Sequence, residues 1–445
     1  MPITAKSTKA SPASLSKKTK AVIIVGPPWP RSGTARVIQN QIEYYRDNGY
    51  LTVFICVPIH CSYTDTYSDW DDIKEGMQEL GADHIFFAPI DDRRFVVGKY
   101  TGWVRHRFAG TALDWIVTTA MSGRLPESVL EFIGELPVAL LDVNHVFTLG
   151  FAQKLLRRVV RSGHRIPIIL ETHDVQSHLL EEQHEINPWT HRPDDSKRLL
   201  DSELSLLKKA KVLVHCSVDD FNFFKSRLPG MSHVLALPSI DETFVSAVDA
   251  AAPASDPIDL LFVGQSTNPN CAAMKWFFED VWPIIADRGY SVKIVGQVSM
   301  LVRQSLPEIY EAFGSLFVGP IADLAPTYRA ARCVFAPMIS GTGISIKTIE
   351  ALALGKPFIG TSMAFRGMPM DRIAKFGLQP QDTPRTFADA IVKALSNERT
   401  AANASRLAYE SLFSPKAAFS SRDEVLRIAT KPRDILSSDR ETIGK

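Results

Sequence analysis

Cysteine is scarce in this 445-residue sequence, and no two cysteines show C-x-x-C spacing. The five present, Cys56, Cys61, Cys216, Cys271 and Cys333, are odd in number, and most sit in apolar runs. That excludes a disulfide framework and a cysteine zinc site, and it fits a reducing cytoplasm. No apolar run is long enough to span a bilayer. The first twenty residues are basic and rich in Ser, Thr and Ala, and they lack the apolar core of a signal peptide, so 1–20 reads as a disordered tail. Charge of one sign is also missing. Fifty Lys and Arg face 49 Asp and Glu, a net +1, which argues against bulk nucleic-acid binding. No H-E-x-x-H occurs among His173, His178, His184 and His191, so no zinc site is expected there. Asp69-Trp70-Asp71 is a lone acidic pair before a helix, which reads as an N-cap and not a metal set. Gly341-x-Gly343 has no third glycine, and the strand LTVFICVP ends without an acid. Both disfavour a dinucleotide oxidoreductase.

What the sequence does contain is alternation. Short apolar segments, AVIIVG (21–26), LTVFICVP (51–58), HIFFAP (84–89), VALLDV (138–143), IPIIL (166–170), VLVHC (212–216) and 234–237, read as strands buried on both faces. Helical stretches separate them, the first over 34–47. The Ala-, Ser-, Asp- and Pro-rich stretch 239–257 breaks the pattern and reads as a linker. A second series follows at 258–264, 292–296, 316–319, 334–337 and 357–361, with helices over 269–287, 321–331, 345–354 and 384–397. The fold class is therefore α/β, with two Rossmann-like domains in series. Their bounds are 21–238 on the acceptor side and 258–405 on the nucleotide side. Residues 406–445 form a C-terminal helix, expected to pack back on the first domain, and a tail. Ligands of such sheets bind at the carboxyl ends of the strands.

The densest signal lies between Ala336 and Met368. A strand ends near Pro337, Gly341 and Gly343 bracket a turn, and a helix begins near Ser345. Glycines there let backbone N–H groups approach an anion, and the helix N-terminus adds partial positive charge. Lys347 lies in the first helical turn, where a cation opposes the dipole unless an anion compensates it. Glu350, three residues on, shares its face, and a carboxylate there can accept hydrogen bonds from a ribose diol. An ordinary glycine turn with a surface Lys–Glu pair is the plainer alternative.

The run Gly341, Gly343, Lys347, Glu350, Ala351, Ala353, Gly355, Lys356, Pro357 resembles the donor-site signature of family 4 glycosyltransferases of the GT-B fold. FVGQSTNPN from Phe262, FVGPIADLAPTYRAA with Gly319, Asp323, Leu324 and Tyr328, the N-terminal PPWPRSGTARV and LETHDVQS resemble further family segments in order. The likeness runs from about residue 21 to 397. It implies two Rossmann-like domains facing across a cleft and a retaining, nucleotide-sugar-dependent transferase that needs no metal or other cofactor. It further implies that Glu350 binds the ribose hydroxyls, that Gly341, Thr342, Gly343 and Ile344 lie against the sugar or phosphates, and that Lys347 lies near the diphosphate. Gly319 and Ile321 would border the base, Gly33 would permit close approach from the first domain, and His173 would face the transferring sugar as the catalytic candidate.

Two departures bear on these roles. The family often carries a second glutamate eight residues before Glu350, where this chain has Thr342, and that touches the identity of the sugar. The Arg and Lys that often follow the first C-terminal strand are missing from GQSTNPN, so another cation must oppose the diphosphate. The implied partners are a nucleotide-sugar donor and a glycan or lipid-linked acceptor, as in cytoplasmic polysaccharide or glycolipid synthesis, with no nucleic acid. The basic run 93–107, interleaved with Phe95, Tyr100 and Trp103, reads first as a solvated loop and helix start. Peripheral contact with the inner face of the membrane is the alternative. A nucleotide-sugar epimerase of the same fold, or a non-catalytic nucleotide-sugar-binding protein, stands as the rival function.

Overall fold

The structure is a computed structural model that describes residues 19–59, 69–108, 110–159, 165–186, 195–254 and 256–431, with only the backbone of 182–186. The expected tail 1–20 falls almost wholly outside these residues, and Cys61, His191 and the His184 side chain fall outside them too. The described residues divide into two compact units, drawn from Met1–Ile166 with His191–Leu206 and from Pro167–Thr190 with Leu207–Lys445.

The first unit holds four parallel strands, β1 (Ala21–Gly26), β2 (Leu51–Cys56), β3 (His84–Phe87) and β4 (Val138–Asn144), in the order β3-β2-β1-β4. Every residue of β1 and β2 is buried, as continuous apolar runs covered on both faces require. The Gly33–Asp47 helix follows β1 and buries Val37, Ile38 and Ile42.

The second unit holds two sets of strands. One is β5 (Ile168–Glu171), β6 (Val212–His215) and β7 (Ser232–Leu235), parallel in that order. The other is β8 (Ile258–Val263), β9 (Val292–Val295), β10 (Phe317–Gly319), β11 (Ala331–Ala336) and β12 (Phe358–Gly360), ordered β10-β9-β8-β11-β12 and parallel throughout. The Pro415–Thr430 helix packs on β5, β6 and β7. Compactness thus groups β5–β7 with the later strands. The stretch read as a linker contains a nine-residue helix, Glu242–Ala250, whose first turn is capped by the Asp241 carboxylate.

The expected helix over 269–287 is broken. An α-helix runs Asn268–Trp276, a π-turn spans Phe277–Val281, and a short helix resumes at Trp282–Ile285. Pro283 explains the break. Its ring would strike the carbonyl four residues back, and one widened turn relieves the clash. Phe277, Phe278 and Val281 in that turn are buried in the core around β8 and β11.

Candidate functional site

Gly264 and Gly296 directly follow β8 and β9, and β10 ends on Gly319. Gly296 has φ of 108°, and a Cβ there would lie 2.2 Å from the Gly264 carbonyl oxygen, so only glycine fits. The Gly296 N–H donates to the Gly319 carbonyl at 2.8 Å, and the Gly319 N–H donates to Ser299 Oγ at 3.2 Å. Ile321 sits half-buried in the loop beyond, before the Ala325–Ala330 helix, which starts later than the expected 321–331 because Pro326 fits only in a first turn.

The turn after β11 is built as the glycine spacing suggests. Gly341 has φ of 135° and Gly343 of 63°. The Ile346–Ala353 helix then starts at Ser345, whose side chain makes no cap hydrogen bond to the helix. Instead, Ser345 Oγ accepts from Thr348 Oγ at 3.0 Å. The first N–H groups of this helix are thus left without the usual side-chain acceptor. Ile344 is partly buried against the core, and Thr342 is partly buried.

Lys347 and Glu350 are not a simple surface pair. Lys347 Nζ donates to Asn270 Oδ1 and lies 4.5 Å from the centroid of the Phe262 ring. Burial, then the Arg366 charge, lowers the Lys347 pKa to about 7, against an opposing pull from Glu350. Glu350 accepts from the hydroxyl of the buried Tyr328 at 3.3 Å.

Arg366 is a residue that the sequence reading missed. Its Nε donates to the Thr342 carbonyl at 2.9 Å and its Nη1 to the Met363 carbonyl at 2.9 Å. A Cβ on Gly341 would meet this guanidinium at 3.1 Å, so the planar cation lies flat on the glycine turn. The only signal was its presence in MAFRGM, eight residues past Phe358.

His173 follows β5 with φ of 60°, and it is buried. Next to it, Asp174 reaches the same turn: a Cβ on Gly343 would lie 2.5 Å from Asp174 Oδ1 and 3.6 Å from the His173 carbonyl oxygen. His173 and Gly343, 170 positions apart in the chain, are therefore neighbours. Behind His173, Arg422 Nη1 donates to Glu171 Oε1 at 3.0 Å, with side chains only 5% and 1% exposed. Burial first, and the Arg422 charge second, lower the His173 pKa to about 3, so the imidazole is neutral at ordinary pH.

A second acidic element faces this turn. Ser217 caps the Val218–Arg227 helix, Asp219 Oδ2 accepts from the Gly367 N–H at 2.9 Å, and the Val218 N–H donates to the Gly367 carbonyl at 2.8 Å. Asp220 beside them is buried. Burial, with Asp174 and Asp219 adding repulsion, raises its pKa to about 8. Arg422 and Asp219 carry no local sequence signal, and Asp174 lies beside His173 in LETHDVQS.

In the first unit, Gly33 opens the Gly33–Asp47 helix, and Thr34 Oγ1 lies 2.9 Å from His145 Nε2. His145 has φ of 65° and packs on Trp29 and Phe147 at 5.0 and 4.8 Å between ring centroids. Asp69 accepts from the Asp72 N–H at 3.0 Å as a helix cap. His178 packs edge-on against Phe223. Among the described residues, no three His, Cys, Asp or Glu side chains converge as a metal site, and no helix is long and apolar enough to cross a membrane.

Residues 257–397 match the family described as glycosyl transferases group 1. The chain carries a glycosyltransferase domain. That domain contains the glycine turn, Lys347, Glu350 and Arg366. No curated protein matches the chain. Among solved structures, the chain is similar to a glycosyltransferase from Rickettsia africae ESF-5, with a TM-score of 0.59 and 13% identity over 93% of this chain and 99% of that one. It is also similar to Anabaena Alr3699/HepE in complex with UDP, with a TM-score of 0.57 and 13% identity over 92% and 99%. A third is the pneumococcal O-GlcNAc transferase GtfA in complex with UDP and GlcNAc, with a TM-score of 0.57 and 11% identity over 93% and 100%. At these identities the likeness is one of fold. The architecture is GT-B, with two Rossmann-like domains.

Proposed function

We propose that this glycosyltransferase moves a sugar, with retained anomeric configuration, from a nucleotide-sugar donor to a glycan or lipid-linked acceptor. The observation that carries the proposal is the glycine turn 341–343, which opens an uncapped helix N-terminus between Arg366 and Glu350. In transfer, the bond from the anomeric carbon to the diphosphate breaks and a bond to the acceptor oxygen forms on the same face, while the acceptor proton passes to an oxygen of the departing diphosphate. Negative charge grows on the departing diphosphate. The guanidinium of Arg366, the N–H groups of Gly343 and Ile344 and the helix N-terminus are fixed donors for that charge. Arg366 takes the part that the missing Arg and Lys of GQSTNPN leave open, and no metal is required in this reading. Glu350, braced by Tyr328, accepts from the ribose hydroxyls. Gly319 and Ile321 border the base, and Thr342 stands toward the sugar.

His173 contributes as a neutral imidazole that hydrogen-bonds the sugar or leaving group. Polysaccharide or glycolipid synthesis at the cytoplasmic face of a membrane, with peripheral contact through 93–107, belongs to the same reading. HepE has been crystallised with UDP-glucose, which makes UDP-glucose the first donor to try.

The test is Glu350→Ala. Removing two charge-assisted hydrogen bonds should weaken donor binding by at least about a hundredfold, read by calorimetry and by nucleotide release. Wild-type turnover in a folded Glu350→Ala protein sinks the proposal.

A further inference from the structure

The Arg93–Phe108 helix leaves large apolar side chains, with Arg93 and Arg107 among them, on its outer side. Only Phe95, Gly98 and Gly102 are buried on it. It lies on the Ala112–Ser122 helix through the glycines: a Cβ on Gly98 would sit 1.8 Å from Ser122 Oγ, and one on Gly102 would sit 2.7 Å from Trp115 Cδ1. The apolar side chains point out. Tyr100 is 66% exposed, Trp103 48% and Phe108 75%, with Val96, Val97 and Val104 exposed beside them. At helical spacing these six fall on one side. A surface helix ordinarily buries such a stripe, and single exposed apolar residues need no account whereas a contiguous patch does.

Beside that patch lies an open hollow of about 670 Å³, where Arg93, Arg94, Arg105 and Lys154 rim a largely apolar lining that includes Val97 and Met121. Lys154 Nζ donates to the Met121 carbonyl at 2.9 Å. Nearby carboxylates are fewer than the cations: Asp91 and Asp92 precede the helix, and Asp92 Oδ1 accepts from the Arg94 N–H at 2.7 Å. Asp114 lies 3.9 Å from Arg105, and Glu127 serves Arg158 and Arg124. Among the described residues, Arg93 and Arg94 have no carboxylate at ion-pair distance. The crowding also registers on Lys154, whose pKa is lowered by burial and then by the charges of Arg94, Arg158 and Arg124.

We infer that this helical hairpin docks on an anionic bilayer, its cavity cations holding a lipid phosphate headgroup while Tyr100, Trp103 and Phe108 enter the headgroup–acyl boundary. Charge complementarity selects the occupant. A cluster in which cations outnumber carboxylates calls for an anion, and an adjacent row of Tyr, Trp and Phe calls for an interface that is wet on one side and apolar on the other. The inference deepens the peripheral-contact part of the proposed function and requires no donor.

The experiment is co-sedimentation of the full chain with vesicles of phosphatidylcholine alone and of phosphatidylcholine mixed with phosphatidylglycerol. Binding should require phosphatidylglycerol and weaken with salt. Arg93→Gln and Arg94→Gln should each weaken it roughly fivefold, and Tyr100→Ser with Trp103→Ser should abolish it. Equal binding to both vesicles, or binding unchanged in these variants, overturns the inference. So does a cavity that takes inorganic phosphate, seen as thermal stabilisation lost in Arg94→Gln, while the chain ignores both vesicles. Thermal stabilisation by UDP is followed in parallel. Its retention in the variants shows that they are folded, and its absence from the wild-type chain counts against the donor site alone and leaves the vesicle result standing.

Discussion

Two strand–turn–helix units in this molecule look alike in sequence and are finished differently. After β1, the loop PPWPRS leads into the Gly33–Asp47 helix, and Ser32 closes it: its Oγ accepts from the Ala35 N–H at 3.1 Å and donates to the Trp29 carbonyl at 2.7 Å. After β11, the turn leads into the Ile346–Ala353 helix, and Ser345 turns to Thr348 instead of capping it. The first helix end is satisfied by its own chain. The second keeps its N–H groups for something else and has a guanidinium laid across the turn beside them. A glycine before a helix therefore says less than the residue at the cap.

That contrast can be broken most decisively at Arg366. Arg366→Ala should cut turnover by about 10²–10³-fold, as loss of one preorganised charge donor does, and steady-state nucleotide release measures it. An unchanged rate would place the open helix end outside the chemistry. The next effect concerns protons. Lys347 titrates near pH 7 in the free protein, and a diphosphate nearby raises that value. Below about pH 7 the lysine is already charged, so binding takes up no proton. Above it, binding takes one up, and affinity should fall by up to about tenfold per pH unit. Calorimetry in two buffers of different ionisation enthalpy reads the uptake directly, and a pH-independent affinity between 7 and 9 would remove Lys347 from the donor's surroundings. The smallest effect sharpens the comparison from the other side. Ser32→Ala should lower stability by about 1 kcal/mol through the lost cap, seen in the melting temperature, while donor affinity stays unchanged.

The parts legible in the sequence are the local ones. The apolar run bounds strand β1, and ten consecutive positions, 341–350, carry the glycine turn with Lys347 and Glu350. Residues that act across the chain left no such trace. Arg366 reaches the turn from a separate loop, Arg422 arrives on the Pro415–Thr430 helix, and Asp219 meets Gly367 from 148 positions away. Periodicity cannot see contacts of that span. Over 93–107 the charges suggest a solvated loop and helix start; the structure makes the run one helix, exposed on its outer side, whose Gly98 and Gly102, four residues apart, lie closely on the Ala112–Ser122 helix. The π-turn at Phe277–Val281 was foreshadowed by Pro283, which a continuous helix could not have held.

The buried pair behind His173 also sets an order of events during synthesis. Glu171 leaves the ribosome 251 residues before the guanidinium that neutralises it. At roughly 5–20 residues per second, that is an interval of some tens of seconds. Throughout it, the end of β5 cannot close over a lone carboxylate without a large desolvation penalty. The turn that carries His173 is therefore finished late, after residue 422 has emerged, and a nascent chain is kept from assembling this corner before the glycine turn it abuts has been made.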